Sequence, residues 1–453
     1  MTTANQKLSG IAGATEQAIE RTLETISGRD PAINAFTDIT ADRARAKARQ
    51  LDREQTRGPL AGVPFAAKNL FDIAGLPTRA GALINRDRPP AERDAAIIRR
   101  LEKQGAILVG GLNMGEYAYD FTGMNAHDGP SRNPHDVAHM AGGSSGGSGA
   151  AVAAGMIPLA LGTDTNGSIR VPSAFCGIFG LKPTFGRLSR AGSFPFVGSL
   201  DHVGPMASSV TLMAAAYDAM QGPDDDDPAC AQRVSEPVLP LIDAGIGGLR
   251  VATAGGYFAT GAGADVFEAV GVVAAALGAT DTVEIPEAAR ARAAAYLITA
   301  SESASLHLGR IKTRAADFDP EVRDRLIAGA MMPEAWVHRA HRFRRWYCSQ
   351  LAQLFTRVDI ILAPSTPCRA PRIGQTTLAF GGAELPLRPN IGVYTQPISF
   401  AGLPVAAVPI SLDEGLPLGV QVIAAPWRED LAVRVARHLE RTGVARARIT
   451  PAS

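Results

Sequence analysis

Between Ala141 and Thr184 the chain reads AGGSSGGSGAAVAAGMIPLALGTDTNGSIRVPSAFCGIFGLKPT. Two glycine-flanked serine clusters, one around Ser144 and one around Ser168, are joined by a short apolar bridge. Glycine leaves backbone N–H groups uncovered and permits positive φ, so a hydroxyl set among glycines can be closely approached by a substrate. A flexible Gly/Ser linker has the same local composition. A linker, however, does not run straight into AAVAAGMIPLALG, which is apolar enough to be buried. An alkyl hydroxyl is a poor nucleophile at neutral pH and needs a base within hydrogen-bond reach. No histidine sits in a Gly-x-Ser-x-Gly context or another recognisable hydrolase pattern. His135 and His139 have a helix-like spacing, but Pro134 and the loop character argue against a metal site and for solvated or bracing side chains. Cys176, Cys230, Cys348 and Cys368 match no zinc or redox spacing and read as reduced thiols.

The stretch resembles the signature of the amidase signature family, serine hydrolases that cleave carboxamides with Ser-Ser-Lys in place of Ser-His-Asp. GGSSGGS and GTDTNGSIRVPSAFCG carry the two serine motifs, and GPLAGVPFAAKNLFD, upstream, carries the lysine motif. The resemblance implies that Lys68 is the base, Ser144 the bridging serine, after a cis peptide bond, and Ser168 the nucleophile. The residue types suit those tasks. An ordinary lysine, with a pKa of about 10.4, is protonated at neutral pH. Burial without a carboxylate partner lowers that value, and Val63-Pro64-Phe65-Ala66-Ala67 before Lys68 is apolar. Asp72 would spoil this by pairing with the lysine and is expected to point elsewhere. Neutral Lys68 then takes a proton from Ser144, Ser144 takes one from Ser168, and Ser168 attacks the carbonyl carbon. The amine leaves with the proton returned through Ser144, and water hydrolyses the acyl-enzyme by the reverse route. The scheme calls for no metal and no cofactor.

The N–H groups of Thr165, Asn166, Gly167 and Ser168, on a turn opening a short helix, are the expected oxyanion donors. Many family members have Gly-Gly-Ser there, whereas this chain has Asn166-Gly167-Ser168. Asparagine tolerates unusual backbone angles, so the hole survives, or its side chain instead lines the acyl pocket. Asp164 and Arg170 are expected to brace the loop, Ser145 and Ser148 to donate from behind the site, and Ser173 and Cys176 to pack.

These residues need a scaffold. From Gly58 onward apolar strand candidates alternate with helices: Val63 to Ala67, Ala106 to Val109, Leu159 to Leu161, Leu249 to Thr253, Thr282 to Ile285, Val358 to Ala363, Val405 to Pro409 and Val420 to Ala424. Helices are expected over 94–103, 149–156, 208–220, 265–277, most of 290–356, and 431–441. Before Gly58, Ile19, Leu23 and Ile26 mark an amphipathic helix stopped by Gly28, a second helix covers 41–53 with a solvated outer face, and DPAINAFTDIT connects them. Asp224 to Asp227, between Pro223 and Pro228, reads as an acidic surface turn. The pattern is α/β: a mixed central sheet covered by helices on both faces. Residues 1–57 read as N-terminal helices packed on the core, and 58–453 as one catalytic unit.

With 453 residues, 46% of them hydrophobic, the chain can bury a large core. Lysine plus arginine number 45 against 44 acids, so no basic field argues for nucleic acid. No apolar run suits a membrane span, and the N-terminus lacks the apolar core of a signal peptide, so a cytoplasmic enzyme is expected.

Two branches of the family are resembled. LNMGEYAYDFTGMNAHDGPSRNPHD and GRLSRAGSFPFVGSLDHVGPMA are broadly similar to the glutamine-hydrolysing component of tRNA-dependent amidotransferases. The runs 114–122 and 127–130, with the Asn166 variant, resemble more closely the branch acting on carboxybiuret and biuret. That resemblance implies a small ureido substrate, ammonia release, and an oligomer with a very small helical partner subunit. For a carboxylated ureido substrate a cation and planar donors are needed, and Arg132, Tyr117, Asp120 and Gln396 are the candidates. A non-catalytic scaffold of the same fold is the alternative, but it would have no chemical need for Lys68, Ser144 and Ser168 together.

Overall fold

The computed structural model describes residues 13–451. Residues 1–12, the start of the segment read as lacking a signal peptide, lie outside the described residues. The strands, in chain order, are β1 (Phe36–Ile39), β2 (Pro64–Lys68), β3 (Ile107–Leu112), β4 (Arg132–Asn133), β5 (Asp136–Met140), β6 (Leu159–Asp164), β7 (Phe179–Lys182), β8 (His202–Ala207), β9 (Val251–Ala254), β10 (Asp281–Val283), β11 (Ile360–Pro364), β12 (Thr377–Phe380), β13 (Ala383–Pro386), β14 (Val405–Ile410) and β15 (Leu418–Ala424). The helices are α1 (Ala14–Ile33), α2 (Ala41–Glu54), α3 (Ala96–Lys103), α4 (Gly146–Ala153), α5 (Arg170–Cys176), α6 (Val210–Met220), α7 (Ala264–Ala276), α8 (Ala288–Arg314), α9 (Pro320–Ala330), α10 (Glu334–Leu354), α11 (Leu387–Asn390), α12 (Gln396–Ala401) and α13 (Glu429–Arg441).

Eleven strands form one mixed sheet in the order β1-β3-β2-β6-β8-β7-β14-β15-β11-β9-β10. Parallel pairing joins β3, β2 and β6, and again β11, β9 and β10. The strands between them pair antiparallel. Side chains alternate across a strand, and here they enter two different cores. Phe65, Ala67, Leu108, Leu159 and Leu161 pack with Ile97, Leu101 and Met213. Ala66, Ile107, Val109 and Ala160 pack with Ile19, Ala48 and Val152. The sheet is therefore covered on both faces, which is why its strands read as continuous apolar runs.

Four local expectations are corrected. Helix α1 runs through Gly28 and ends at Asn34, whose φ of 59° is left-handed and whose N–H donates to Asp30 O at 2.7 Å. A helical glycine costs only about 1 kcal/mol, and buried Ile26 and Ile33 lie on either side of it. The segment read as a connection contains β1, which pairs antiparallel with β3 at the sheet edge. Helix α4 starts at Gly146 instead of Gly149 because the residues before it are small enough to be enclosed. A Cβ on Gly147 would lie 2.4 Å from Ala35 O and 2.6 Å from Asn113 O. The acidic turn is only partly a surface feature, since Asp227 is buried and holds Arg190 through both carboxylate oxygens.

The chain returns to the serine-rich helices near its far end. Thr450 N–H donates to Ala153 O (2.9 Å) and Arg448 N–H to Gly177 O (2.7 Å), at the C-terminal ends of α4 and α5. Arg29 Nη1 donates to Thr450 O at 3.0 Å, tying α1 into the same joint. Among the described residues, no helix is long and apolar enough to cross a membrane.

Candidate active site

Strand β2 delivers Lys68 to the middle of the sheet's parallel block, where it is fully buried. Its Nζ lies 2.7 Å from Ser144 Oγ and 2.8 Å from Thr163 Oγ1. Burial lowers the amine to about 7, with the charges of Asp201, Asp164 and Asp120 pulling the other way. Asp72 does not pair with it and instead accepts the Thr78 hydroxyl. The Gly143–Ser144 peptide bond is cis. Ser145 and Ser148 tie α4 to β6 by donating to Thr163 O (3.2 Å) and Leu161 O (2.9 Å). Thr163 is a partner that the motifs do not single out, although it stands in the second cluster, two residues before Thr165.

Strand β6 then opens into the turn 165–169, followed at once by α5. Asp164 and Arg170, both fully buried, form a two-point pair at 2.9 Å across the base of this turn. Burial pushes the Asp164 carboxyl up, but Arg170, with Lys182 and His202 behind it, outweighs that and holds it well below the usual range. Arg170 also donates to Thr395 O (3.1 Å) and Gln421 Oε1 (2.6 Å). Thr165 Oγ1 donates to Asp201 (2.6 Å), and Thr395 Oγ1 donates to Asn166 O (2.7 Å). Gly167 has a φ of 146°, and a Cβ there would meet Thr395 Oγ1 at 2.3 Å. Glycine is required on both counts. The N–H groups of residues 165–168 find no acceptor among the described residues, whereas that of Ile169 turns back to Asp164 Oδ2 at 3.2 Å. Four adjacent backbone donors are thus held rigidly and left free.

Ser168 lines a cavity of about 210 Å³ together with Asn166, Thr165, Asp120, Gln396, Tyr296, Glu321, Arg325 and Arg388. Ser144 and Ser168 make no hydrogen bond to each other in this conformation. Such contacts are often open without substrate and tighten in the reacting complex.

The remaining candidates separate clearly. Asp120 is in the cavity wall, accepting from Thr122 N–H (2.8 Å), the Thr122 hydroxyl (2.7 Å) and Gly123 N–H (2.6 Å). Gln396 is there too, its Oε1 accepting from Arg292 (2.9 Å). Asn166 also faces the cavity, with Nδ2 donating to Thr299 Oγ1 at 2.9 Å. Tyr117 is not a lining residue: it is buried with its ring 4.0 Å from that of His307. Arg132 is not one either, since it sits on β4 and donates to Val137 O (3.0 Å). His135 Nε2 lies 2.9 Å from Cys176 O and His139 Nδ1 2.9 Å from Asp136, both outside the cavity. Cys176 is buried, its thiol bonded to Ala141 O and pushed far up by burial. Ser173, on α5, is buried against Gly180 of β7.

The cations that do reach the cavity are Arg325 on α9 and Arg388 on α11. Arg388 Nη1 lies 3.5 Å from Asp120 Oδ1, but that carboxylate is already held by Thr122 and Gly123. Arg325 stacks over the Tyr119 ring at 4.3 Å, and its Nη2 has no hydrogen-bond partner among the described residues. Neither position carries a local motif; both come from segments remote in sequence from the serines.

A family model described as Amidase matches residues 17–433. The chain is 52% identical over 448 residues to AtzE of Pseudomonas sp. (strain ADP), a 1-carboxybiuret hydrolase component, covering 97% of this chain and 98% of that protein. It is 38% identical over 450 residues to the GatA-type component of the glutamyl-tRNA(Gln) amidotransferase of Chloroflexus aurantiacus, covering 92% and 91%. Among solved structures, one described as an unexpected vestigial protein complex revealing the origins of an s-triazine catabolic enzyme superposes with a TM-score of 0.95 at 51% identity, covering 98% of this chain and 99% of that one. The corresponding glutamyl-tRNA(Gln) amidotransferase component of Thermotoga maritima superposes with a TM-score of 0.83 at 29% identity, covering 99% and 97%.

Proposed function

We propose a substrate and a mechanism for this chain, which belongs to the amidase family and is a hydrolase of amide bonds. The substrate is a small ureido amide bearing a carboxylate, of the 1-carboxybiuret type, cleaved at its terminal amide to release ammonia. One observation carries this choice beyond the 52% identity to the 1-carboxybiuret hydrolase component. Two incompletely paired guanidinium groups, Arg325 and Arg388, share a small cavity with Ser168. A planar guanidinium matches a carboxylate in two-point geometry, and the bonds are charge-assisted.

Lys68, neutral in a large fraction of molecules at pH 7, draws the proton of Ser144, which takes that of Ser168. The Ser168 oxygen bonds to the terminal carbonyl carbon. The negative charge that develops on the carbonyl oxygen is met by the N–H groups of 165–168, rigid before the reaction begins. Collapse breaks the C–N bond, and the proton held on Lys68 returns through Ser144 to the departing nitrogen, giving ammonia and an N-substituted carbamoyl ester on Ser168 that retains the rest of the substrate. Water adds to that ester with the same groups working in reverse.

The glutamine-hydrolysing reading shares this machinery. Glu321, in the same cavity wall as the two arginines, would face the α-ammonium of a glutamine. We place the enzyme in the cytoplasm and in an oligomer with a small helical partner subunit. Support for a partner comes from the complex formed by the 51% identical structural neighbour.

The test is ammonia release from 1-carboxybiuret, biuret and glutamine, with trapping of a covalent adduct on Ser168. Arg388→Ala should raise KM for the carboxylated substrate about 10- to 100-fold, the worth of a charge-assisted bond, and leave biuret nearly unchanged. Arg132→Ala should leave both unchanged. Equal effects of Arg388→Ala on both substrates remove the clamp. Glutamine turnover stimulated by charged tRNA selects the other branch, and absence of both ammonia and adduct selects the scaffold.

A further inference from the structure

The runs 114–122 and 127–130 meet at a buried acid that the mechanism does not use. Glu116 is fully enclosed. Its Oε1 lies 3.0 Å from His127 Nε2, and its Oε2 accepts the backbone N–H of Asp319 at 2.8 Å. Asp319 is the N-cap of α9: its carboxylate accepts Glu321 N–H (3.0 Å), and its carbonyl accepts Val322 N–H (2.9 Å) and Arg323 N–H (2.8 Å). Helix α9 carries Glu321 and Arg325 into the cavity wall.

We propose that Glu116 is a positioning residue that docks the first turn of α9 onto the 115–120 segment, so setting where Arg325 stands relative to Ser168. It rests on the reading of Arg325 as part of a carboxylate clamp. Four contacts within six residues carry it. Gly115 N–H donates to Ser144 O at 3.2 Å. Glu116 holds the cap of α9. Tyr119 lies under the Arg325 guanidinium. Asp120 lies 3.5 Å from Arg388. Residues 115–120 therefore touch the bridging serine at one end and both arginines at the other. A buried carboxylate seldom adds stability, because a well-packed apolar replacement is often as good; burial pushes this one up to about 8. What it provides here is its two specific contacts.

The experiment compares Glu116→Ala with Glu116→Gln, which retains an acceptor for the Asp319 N–H. Hydrogen–deuterium exchange of 319–325 is read first, without substrate. Exchange should quicken at least 10-fold in Glu116→Ala, stay within about 3-fold of wild type in Glu116→Gln, and remain unaltered in α4 and α5. Kinetics follow: Glu116→Ala should raise KM for 1-carboxybiuret about 10-fold, leave kcat and biuret turnover within about 3-fold, and add nothing further to Arg325→Ala. Should Glu116→Ala fail to fold, Asp319→Pro against Asp319→Ala isolates the N–H. Asp319 has φ of −54° and Phe318 ψ of 149°, both compatible with proline at 319, and both variants lose the side-chain cap equally. The proline variant should loosen 320–325 clearly more than Asp319→Ala does, since loss of the side-chain cap is common to both. Unchanged exchange in Glu116→Ala, or in Asp319→Pro relative to Asp319→Ala, overturns the proposal whatever the substrate. Loosened exchange with equal loss on both substrates leaves Glu116 its docking role and overturns the reading of Arg325 as a clamp.

Discussion

Two lysines lie fully buried at the ends of sheet strands, Lys68 on β2 and Lys182 on β7, and burial lowers both to about 7. Their surroundings differ in kind. Lys68 meets two hydroxyl groups, those of Ser144 and Thr163, each able to give a proton, and Thr163 leads into the turn whose Ser168 lines a cavity. Lys182 Nζ has the carbonyl of its own neighbour, Pro183 O, at 3.1 Å. A carbonyl can only accept, so this amine has nothing to deprotonate. Desolvation makes an amine available as a base; the partner atoms decide whether it is one.

If Ser168 and Lys68 act as nucleophile and base, Lys68→Met or Ser168→Ala should lower kcat by at least about 1,000-fold, whereas Lys182→Met should keep activity within a few-fold. Comparable losses at both lysines would mean that burial alone marks the base. The next largest effect is expected at the turn 165–168. Gly167→Ala would drive a Cβ into Thr395 at a positive φ, displacing the free N–H groups. A loss of about 100-fold in kcat, equal for charged and neutral amides, is expected from a disrupted oxyanion site.

A pH profile sharpens the contrast further. Only neutral Lys68 accepts a proton, so kcat/KM should rise about tenfold per pH unit below about 7 and level off above it. A profile flat from pH 5 to 8 would exclude this amine as the base. The smallest effect is on stability. A lysine lowered by folding binds fewer protons in the native state than in the unfolded chain between about pH 7 and its ordinary value, so stability rises with pH across that window. The burden is heaviest at low pH. Lys182→Met should therefore gain more at pH 6 than at pH 9, by on the order of 1–3 kcal/mol in denaturant titrations. The opposite sign would show that Lys182 is held charged by Asp164 and Glu429.

What could be read in the sequence follows the range of the interactions. Lys68, Ser144 and the 165–168 turn lie in local motifs whose glycine and apolar context constrains them, and buried strands such as β14 and β15 announce themselves as apolar runs. β1 did not, because FTDI is short and half polar, and its strand character comes from pairing with Gly110 and Leu112. Helix α1 passed its expected stop because tertiary packing outweighs one glycine. Arg132 stands close in sequence to the motif runs, yet its guanidinium closes its own hairpin. Arg325 and Arg388 are two arginines among many, and only the packing of α9 and α11 separates them from the rest. Thr395, which holds the turn from more than 200 positions away, leaves no local trace at all.

The joint made by Arg448 and Thr450 with the ends of α4 and α5 has a consequence during synthesis. Thr450 Oγ1 reaches Ala153 O across 297 positions. A nascent chain still threaded through the ribosome has the serine helices translated but not yet latched. Proteolysis of arrested chains should therefore find α4 and α5 vulnerable until residue 450 has left the exit tunnel.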